Sequence, residues 1–298
     1  MKKLFLIFIP GLLLSGCGSS ESFEDKEILE KVDKQASKIS VSKEVLDEMI
    51  QTLPSPIETA NLITKSKSSF KKDLLIPAGN AEKFSDKYGQ ALALGGYGVD
   101  MGYLNLNDKT IYIIEYLDAI RTVSKDLKVD AFFNFSLMSD LAKNRKNVDS
   151  LIHISTENFN KIDEHFRSQS RGDLSVLILV GSWVEGLYMF DKIALENKTQ
   201  DIVNRIGEQK VIIDNMYAIL NKIEHVEYYK QLKTKFDALK KVYDDVKISY
   251  VYHEPKMKEV NGELIVEDNT ETIINITDEQ LKAISIEINK LRNNLFLN

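Results

Sequence analysis

Asp100 and Glu185 are the two acidic residues whose surroundings could give a carboxylate unusual chemistry. Each sits in an apolar stretch crowded with small residues and aromatics. The first is Gly95-Gly96-Tyr97-Gly98-Val99-Asp100-Met101-Gly102-Tyr103, and the second is Gly181-Ser182-Trp183-Val184-Glu185-Gly186-Leu187-Tyr188. If both stretches are helical and the helices cross here, Asp100 and Glu185 share a pocket walled by Tyr97, Tyr103, Trp183 and Tyr188. A desolvated carboxylate pair has coupled, raised pKa values and can bind a cation or serve as acid and base. The plainer reading is packing. Glycine in a helix interior costs about 1 kcal/mol against alanine, so a cluster of it marks close helix approach, and Gly98 and Gly102 lie one turn apart on one face. On that reading a buried acid simply accepts a tyrosine hydroxyl.

Other catalytic or cofactor chemistry has little support. The four histidines, His153, His165, His225 and His253, include no pair at the i, i+4 spacing of a helical zinc site. No Gly-x-Ser-x-Gly elbow, phosphate loop or dinucleotide fingerprint occurs, since Gly95-Gly96-Tyr97-Gly98 has neither the spacing nor a preceding strand. No metal or cofactor is expected. The formal net charge is −6, with no basic stripe of the kind that neutralises phosphates, so nucleic acid is excluded as a partner.

Cys17 is the only cysteine and it stands at a distinctive place. Lys2 and Lys3 open the chain, and Leu4 to Leu14 is an apolar run too short to span a bilayer, which takes roughly 20 residues. A charged start, a short apolar run and small residues at its end describe an export signal. Leu14-Ser15-Gly16-Cys17 follows, and it resembles the lipobox of bacterial lipoproteins. The resemblance implies diacylglycerol on the Cys17 sulfur, cleavage after Gly16 and acylation of the new N-terminus. One acyl chain holds a membrane only marginally, whereas two or more anchor stably. Residues 1–16 are thus read as a lipoprotein signal peptide, and residues 17–25, which include Gly18-Ser19-Ser20-Glu21-Ser22, as a flexible tether. A single thiol makes no internal disulfide, so the body must rest on its core.

Helical periodicity dominates residues 23–247. Ser42 reads as a helix N-cap, and Ser55-Pro56-Ile57-Glu58 as another helix start. Apolar stripes fall at Ile113, Leu117, Ile120, Val123 and Leu127; at Leu151, Phe159, Ile162 and Phe166; at Ile206, Ile213, Tyr217 and Leu220; and at Phe236, Leu239 and Tyr243. Leu174–Phe190 is apolar enough to suggest a membrane span. Glu185 near a bilayer centre would be costly, so a helix buried on all sides within a bundle is preferred. Asn197-Lys198-Thr199 and Asn275-Ile276-Thr277 match a glycosylation sequon but read as polar helix caps. After Lys247 the pattern changes. Tyr250-Val251-Tyr252 is β-prone, and Asn261-Gly262 between Met257–Val260 and Glu263–Val266 signals a hairpin. Thr272–Ile276 suits a third short strand. Thr277-Asp278-Glu279-Gln280 then reads as a capping box opening a last helix, with Leu281, Ile284, Ile288, Leu291 and Leu295 on one side.

The expected fold class is all-α: a multi-helix bundle with a small β-hairpin insertion before the C-terminal helix, residues 26–298 forming one helical domain. The Leu94–Asp100 and Gly181–Tyr188 segments, with the lipobox, resemble a group of uncharacterised all-helical bacterial lipoproteins. That resemblance implies a fold and a location but no catalytic residue. The expected function is a membrane-anchored envelope lipoprotein that binds or scaffolds, without enzymatic activity, and whose partners are the membrane and an envelope protein or small ligand. Gly18 after the cysteine favours the outer membrane over the inner. Two rivals differ in class: a solute-binding lipoprotein with a pocket between the two glycine-rich helices, and a hydrolase using Asp100 and Glu185 as a buried carboxylate pair.

Overall fold

The computed structural model describes residues 63, 69–136, 148–253, 256–260, 263–267 and 271–297. Residues 1–25, with Cys17 and the expected signal and tether, the helix starts expected at Ser42 and Ser55, and the turn expected at Asn261-Gly262 all lie outside them, as does the side chain of Leu151. The architecture is an all-α bundle carrying a β-ribbon before its last helix. Seven α-helices are described: α1 (Lys87–Leu106), α2 (Thr110–Asp126), α3 (Val148–Ser168), α4 (Gly172–Glu196), α5 (Gln200–Ile223), α6 (Glu227–Asp244) and α7 (Asp278–Phe296).

α4 is the axis of the bundle. Every residue from Gly172 to Asp191 is buried, so its apolar sequence is a core sequence, as expected of a helix packed on all sides. α1 lies against it, and α3, α5 and α7 pack around it. The amphipathic helices turn their stripes inward. Ile113, Leu117, Ile120 and Val123 of α2 are buried, as are Phe236, Leu239 and Tyr243 of α6 and Ile284, Ile288, Leu291 and Leu295 of α7.

Local chemistry sets the helix ends. The Asp86 carboxylate accepts from the Tyr88 and Gly89 amides, both at 2.9 Å, and so starts α1. Thr199 caps α5 through the Ile202 amide, so the sequon threonine serves as a helix cap. Three helix ends close without glycine. Asp108, Lys128 and Ser170 take φ near 60°, and the next residue's amide reaches back to a carbonyl five positions earlier (Lys109 to Leu104, Val129 to Ser124, Arg171 to Phe166). This is the Schellman closure, usually reserved for glycine.

The ribbon consists of two antiparallel pairs. β1 (Lys247–Val251) pairs with β4 (Glu271–Asn275), and β2 (Lys256–Val260) pairs with β3 (Glu263–Glu267). The expected strand at Thr272–Ile276 therefore pairs with the Tyr250 strand instead of extending the inner hairpin. Four residues separate the pairs on one arm and three on the other, so the register shifts by one between them. Ile274 anchors the base of the ribbon against Gly207 of α5, where an added Cβ would lie 2.4 Å from its side chain.

α7 opens with the expected capping box. The Gln280 amide donates to Thr277 Oγ1 at 3.2 Å, and the Gln280 side-chain oxygen accepts from the Thr277 amide at 2.8 Å. Thr277→Ala should destabilise the protein by about 1 kcal/mol, lowering the urea midpoint without changing the m-value. An unchanged midpoint would show that the cap is dispensable.

Candidate functional site

The two glycine-rich stretches lie on α1 and α4, and their backbones touch. A Cβ on Gly95 would sit 1.9 Å from the Ile178 carbonyl oxygen, and one on Gly181 would sit 2.0 Å from that of Leu92. The Ser182 hydroxyl completes the contact, 2.9 Å from the Ile178 carbonyl oxygen and 3.2 Å from that of Gly95. The small residues thus do what the packing reading requires, at Gly95 and Gly181. Gly96 faces another way, and Ile76 and the Phe296 ring occupy the space its side chain would fill.

One turn beyond the crossing, α1 supplies Asp100 and α4 supplies Glu185, both at 0% exposure. α7 adds a third charge, Arg292, at 3%. Its Nε and Nη2 each donate to Glu185 at 2.9 Å in a bidentate pair, and Nη2 also reaches the Leu74 carbonyl at 2.8 Å. The guanidinium lies over the Tyr188 ring, 4.1 Å from its centroid. Asp100 Oδ2 accepts from the Ile76 amide at 2.9 Å, while its Oδ1 is buried without a hydrogen-bond partner among the described residues.

These side chains converge on a short strap, residues 71–77, that contains one 3-10 turn (Lys72–Leu74), continues through Leu75, Ile76 and Pro77, and leads into a second (Ala78–Lys83). The Tyr116 hydroxyl of α2 donates to the Ile76 carbonyl at 2.8 Å, and the Tyr97 hydroxyl to the Pro77 carbonyl at 3.0 Å. The Lys71 amide donates to Tyr103 Oη at 3.3 Å. A buried extended backbone has no strand partner for its polar groups, so side chains of three helices satisfy them.

Of the residues singled out from the sequence, Tyr97, Asp100, Glu185 and Tyr188 come together. Tyr103 stands at the start of the strap and stacks on Phe70. Trp183 faces the other way: its indole N–H donates to Gln209 of α5 at 2.8 Å, and its ring stacks on Phe236 of α6. Sequence reasoning missed Arg292, Tyr116 and the strap. A signal for Arg292 existed, since it stands one turn from both Ile288 and Phe296 on a face that is otherwise apolar.

Burial dominates the electrostatics. It pushes the Asp100 carboxyl well above its ordinary range, and the neighbouring Glu185 pushes it further, against the pull of Arg292 and the Ile76 hydrogen bond. Burial raises Glu185 too, opposed by the charge of the Arg292 guanidinium and by its bidentate hydrogen bonds. The Tyr97 and Tyr116 hydroxyls are raised by burial first and then by Asp100. Chemically the cluster is two carboxyl groups and one guanidinium, closed from solvent.

A second buried ion pair lies at the start of α4. Asp173 accepts from Arg171 at 3.1 and 3.3 Å and from the Tyr229 hydroxyl at 2.6 Å. Two surface hollows lie elsewhere, one of about 540 Å³ beside Phe132, Phe133 and Phe135, and one of about 200 Å³ beside Leu195, Ile206 and Leu281. No residue of the Asp100 cluster lines either of them.

The fold and site together define a helical bundle whose internal charges hold one of its own segments. No family model matches the chain, and neither does any curated protein or solved structure.

Proposed function

We propose that this chain is an exported lipoprotein, held at the cell envelope by acyl chains on Cys17, whose helical body binds or scaffolds a partner there. The observation that carries this reading is Leu14-Ser15-Gly16-Cys17, the sole cysteine, placed directly after a charged start and a short apolar run. Burial of α4 supports it, because the one helix among the described residues that is long and apolar enough to cross a membrane is committed to the core, which is compatible with attachment through an N-terminal lipid. The binding role draws support from Ile111 and Ile114 on α2, which are 81% and 64% exposed and share one helix face. A hydrolytic role draws none from Asp100 and Glu185, since both carboxylates are sealed inside the bundle and a substrate would have to open it to reach them.

Cys17→Ser tests the anchor. In cells grown with labelled palmitate, the wild-type chain should take up label and sediment with membranes. The variant should be unlabelled and retain residues 1–16. Label on the Cys17→Ser protein would overturn the proposal.

A further inference from the structure

We propose that Asp100 holds a proton in the folded protein, and that this protonated cluster is the latch that keeps residues Leu74–Pro77 on the helical body, so that alkaline conditions loosen the strap. The argument begins with a charge count. Two carboxyls and one guanidinium are enclosed together, and with both acids ionised the cluster carries an uncompensated negative charge in a medium that cannot solvate it. Arg292 is committed through both Nε and Nη2 to Glu185, so the charge left over falls on Asp100.

Hydrogen bonding points the same way. An ionised carboxylate has room for about four donors, and among the described residues Asp100 receives one, the Ile76 amide. Hydroxyls that could serve it are used elsewhere. Tyr97, on its own helix, donates to the Pro77 carbonyl, and Tyr116 of α2 donates to the Ile76 carbonyl. From α4 the groups facing the cluster are Glu185 and Tyr188, and from α7 Arg292, which has Tyr188 against its face. A neutral acid takes on Oδ2 the single donor that its carbonyl oxygen accepts, and leaving its Oδ1 hydroxyl without an acceptor among the described residues costs far less than burying an unpaired anion. An anion would draw the tyrosine hydroxyls or Arg292 toward itself, and each of these is also a bond to the strap.

The sign of the pH dependence follows. Unfolded Asp100 ionises near pH 4, whereas the folded protein keeps its proton well above that, so folding takes up a proton in between. Stability is greatest at the acid end of this window and falls as pH rises through it. The unfolding equilibrium constant gains a factor of about ten per pH unit from this residue.

Asp100→Asn keeps the shape and removes the titration. Urea unfolding of the full chain and of the variant, compared from pH 5 to 9, should give a wild-type to variant ratio of unfolding constants that climbs about tenfold per pH unit until Asp100 ionises in the folded state. Hydrogen exchange at the Ile76 amide, corrected for the intrinsic rise with pH, should accelerate in the wild type and not in the variant. A constant ratio would overturn the proton, and parallel exchange would overturn the latch. If Asp100→Asn does not fold, the 13Cγ resonance of Asp100 in the wild type decides. It should stand in the carboxylic-acid range at pH 7, and a position in the carboxylate range would overturn the proposal.

Discussion

Gly95→Ala and Gly181→Ala should each cost the protein more than about 3 kcal/mol or prevent it from folding. Extra methylene groups in a packed core usually cost about 1–3 kcal/mol, because neighbouring side chains can shift. Here the neighbours are backbone carbonyls of the facing helix, at 1.9 and 2.0 Å from the new atom. A carbonyl inside a helix cannot move alone, so α1 and α4 must separate along the face where they pack most extensively. The other glycines give internal controls. At Gly207 the obstacle is the tip of the Ile274 side chain, which can rotate, so Gly207→Ala should be milder. At exposed Gly79 nothing lies within 4 Å, and Gly79→Ala should be close to neutral. Urea midpoints followed by Trp183 fluorescence should rank the variants in that order. Equal effects at positions 79, 95 and 181 would refute the backbone contact.

The second large effect is at Arg292. Arg292→Met should destabilise by about 3–5 kcal/mol, the usual result of leaving one member of a buried ion pair without its partner. Glu185 would remain fully buried with both oxygens unpaired, and the Leu74 carbonyl would lose its donor. Most of this cost belongs to the stranded carboxylate, not to the lost attraction. Glu185→Leu combined with Arg292→Met should therefore recover much of the loss, and a double-mutant cycle in urea measures the coupling. A double variant as unstable as the sum of the two single variants would mean that the residues act independently, against the bidentate geometry.

The helices were legible in the sequence where their patterns were clean. Ile113, Leu117, Ile120 and Val123 read as one face because nothing interrupts the 3.6-residue spacing, and the Thr277 capping box was explicit in residue types. The ends of α1, α2 and α3 were not, because they close at Asp108, Lys128 and Ser170, which carry no glycine signature. The candidate site was half legible. Aspartate and glutamate in apolar, glycine-rich helices stand out locally, and the crossing that unites Tyr97, Asp100, Glu185 and Tyr188 follows from the same glycines. Arg292 lies 107 residues from Glu185, and no local pattern encodes a pairing across that interval. Trp183 was misleading for a simple reason: on a helix buried on all sides, nearness in sequence to Glu185 does not fix which neighbour a side chain faces.

The position of Arg292 also bears on the order in which this protein can be completed. The Leu74 carbonyl waits for a donor 218 residues further on, and the Asn80 side chain for the Phe296 carbonyl, 216 further on. A nascent chain that has emerged through α6 already holds Glu185 but not its counter-ion, so the interior cannot close around that charge. Contacts over such intervals delay folding, because loop closure must precede any reward. For a chain exported as proposed, the delay is useful. The body stays threadable until α7 has been made, and that helix brings the charge that closes it.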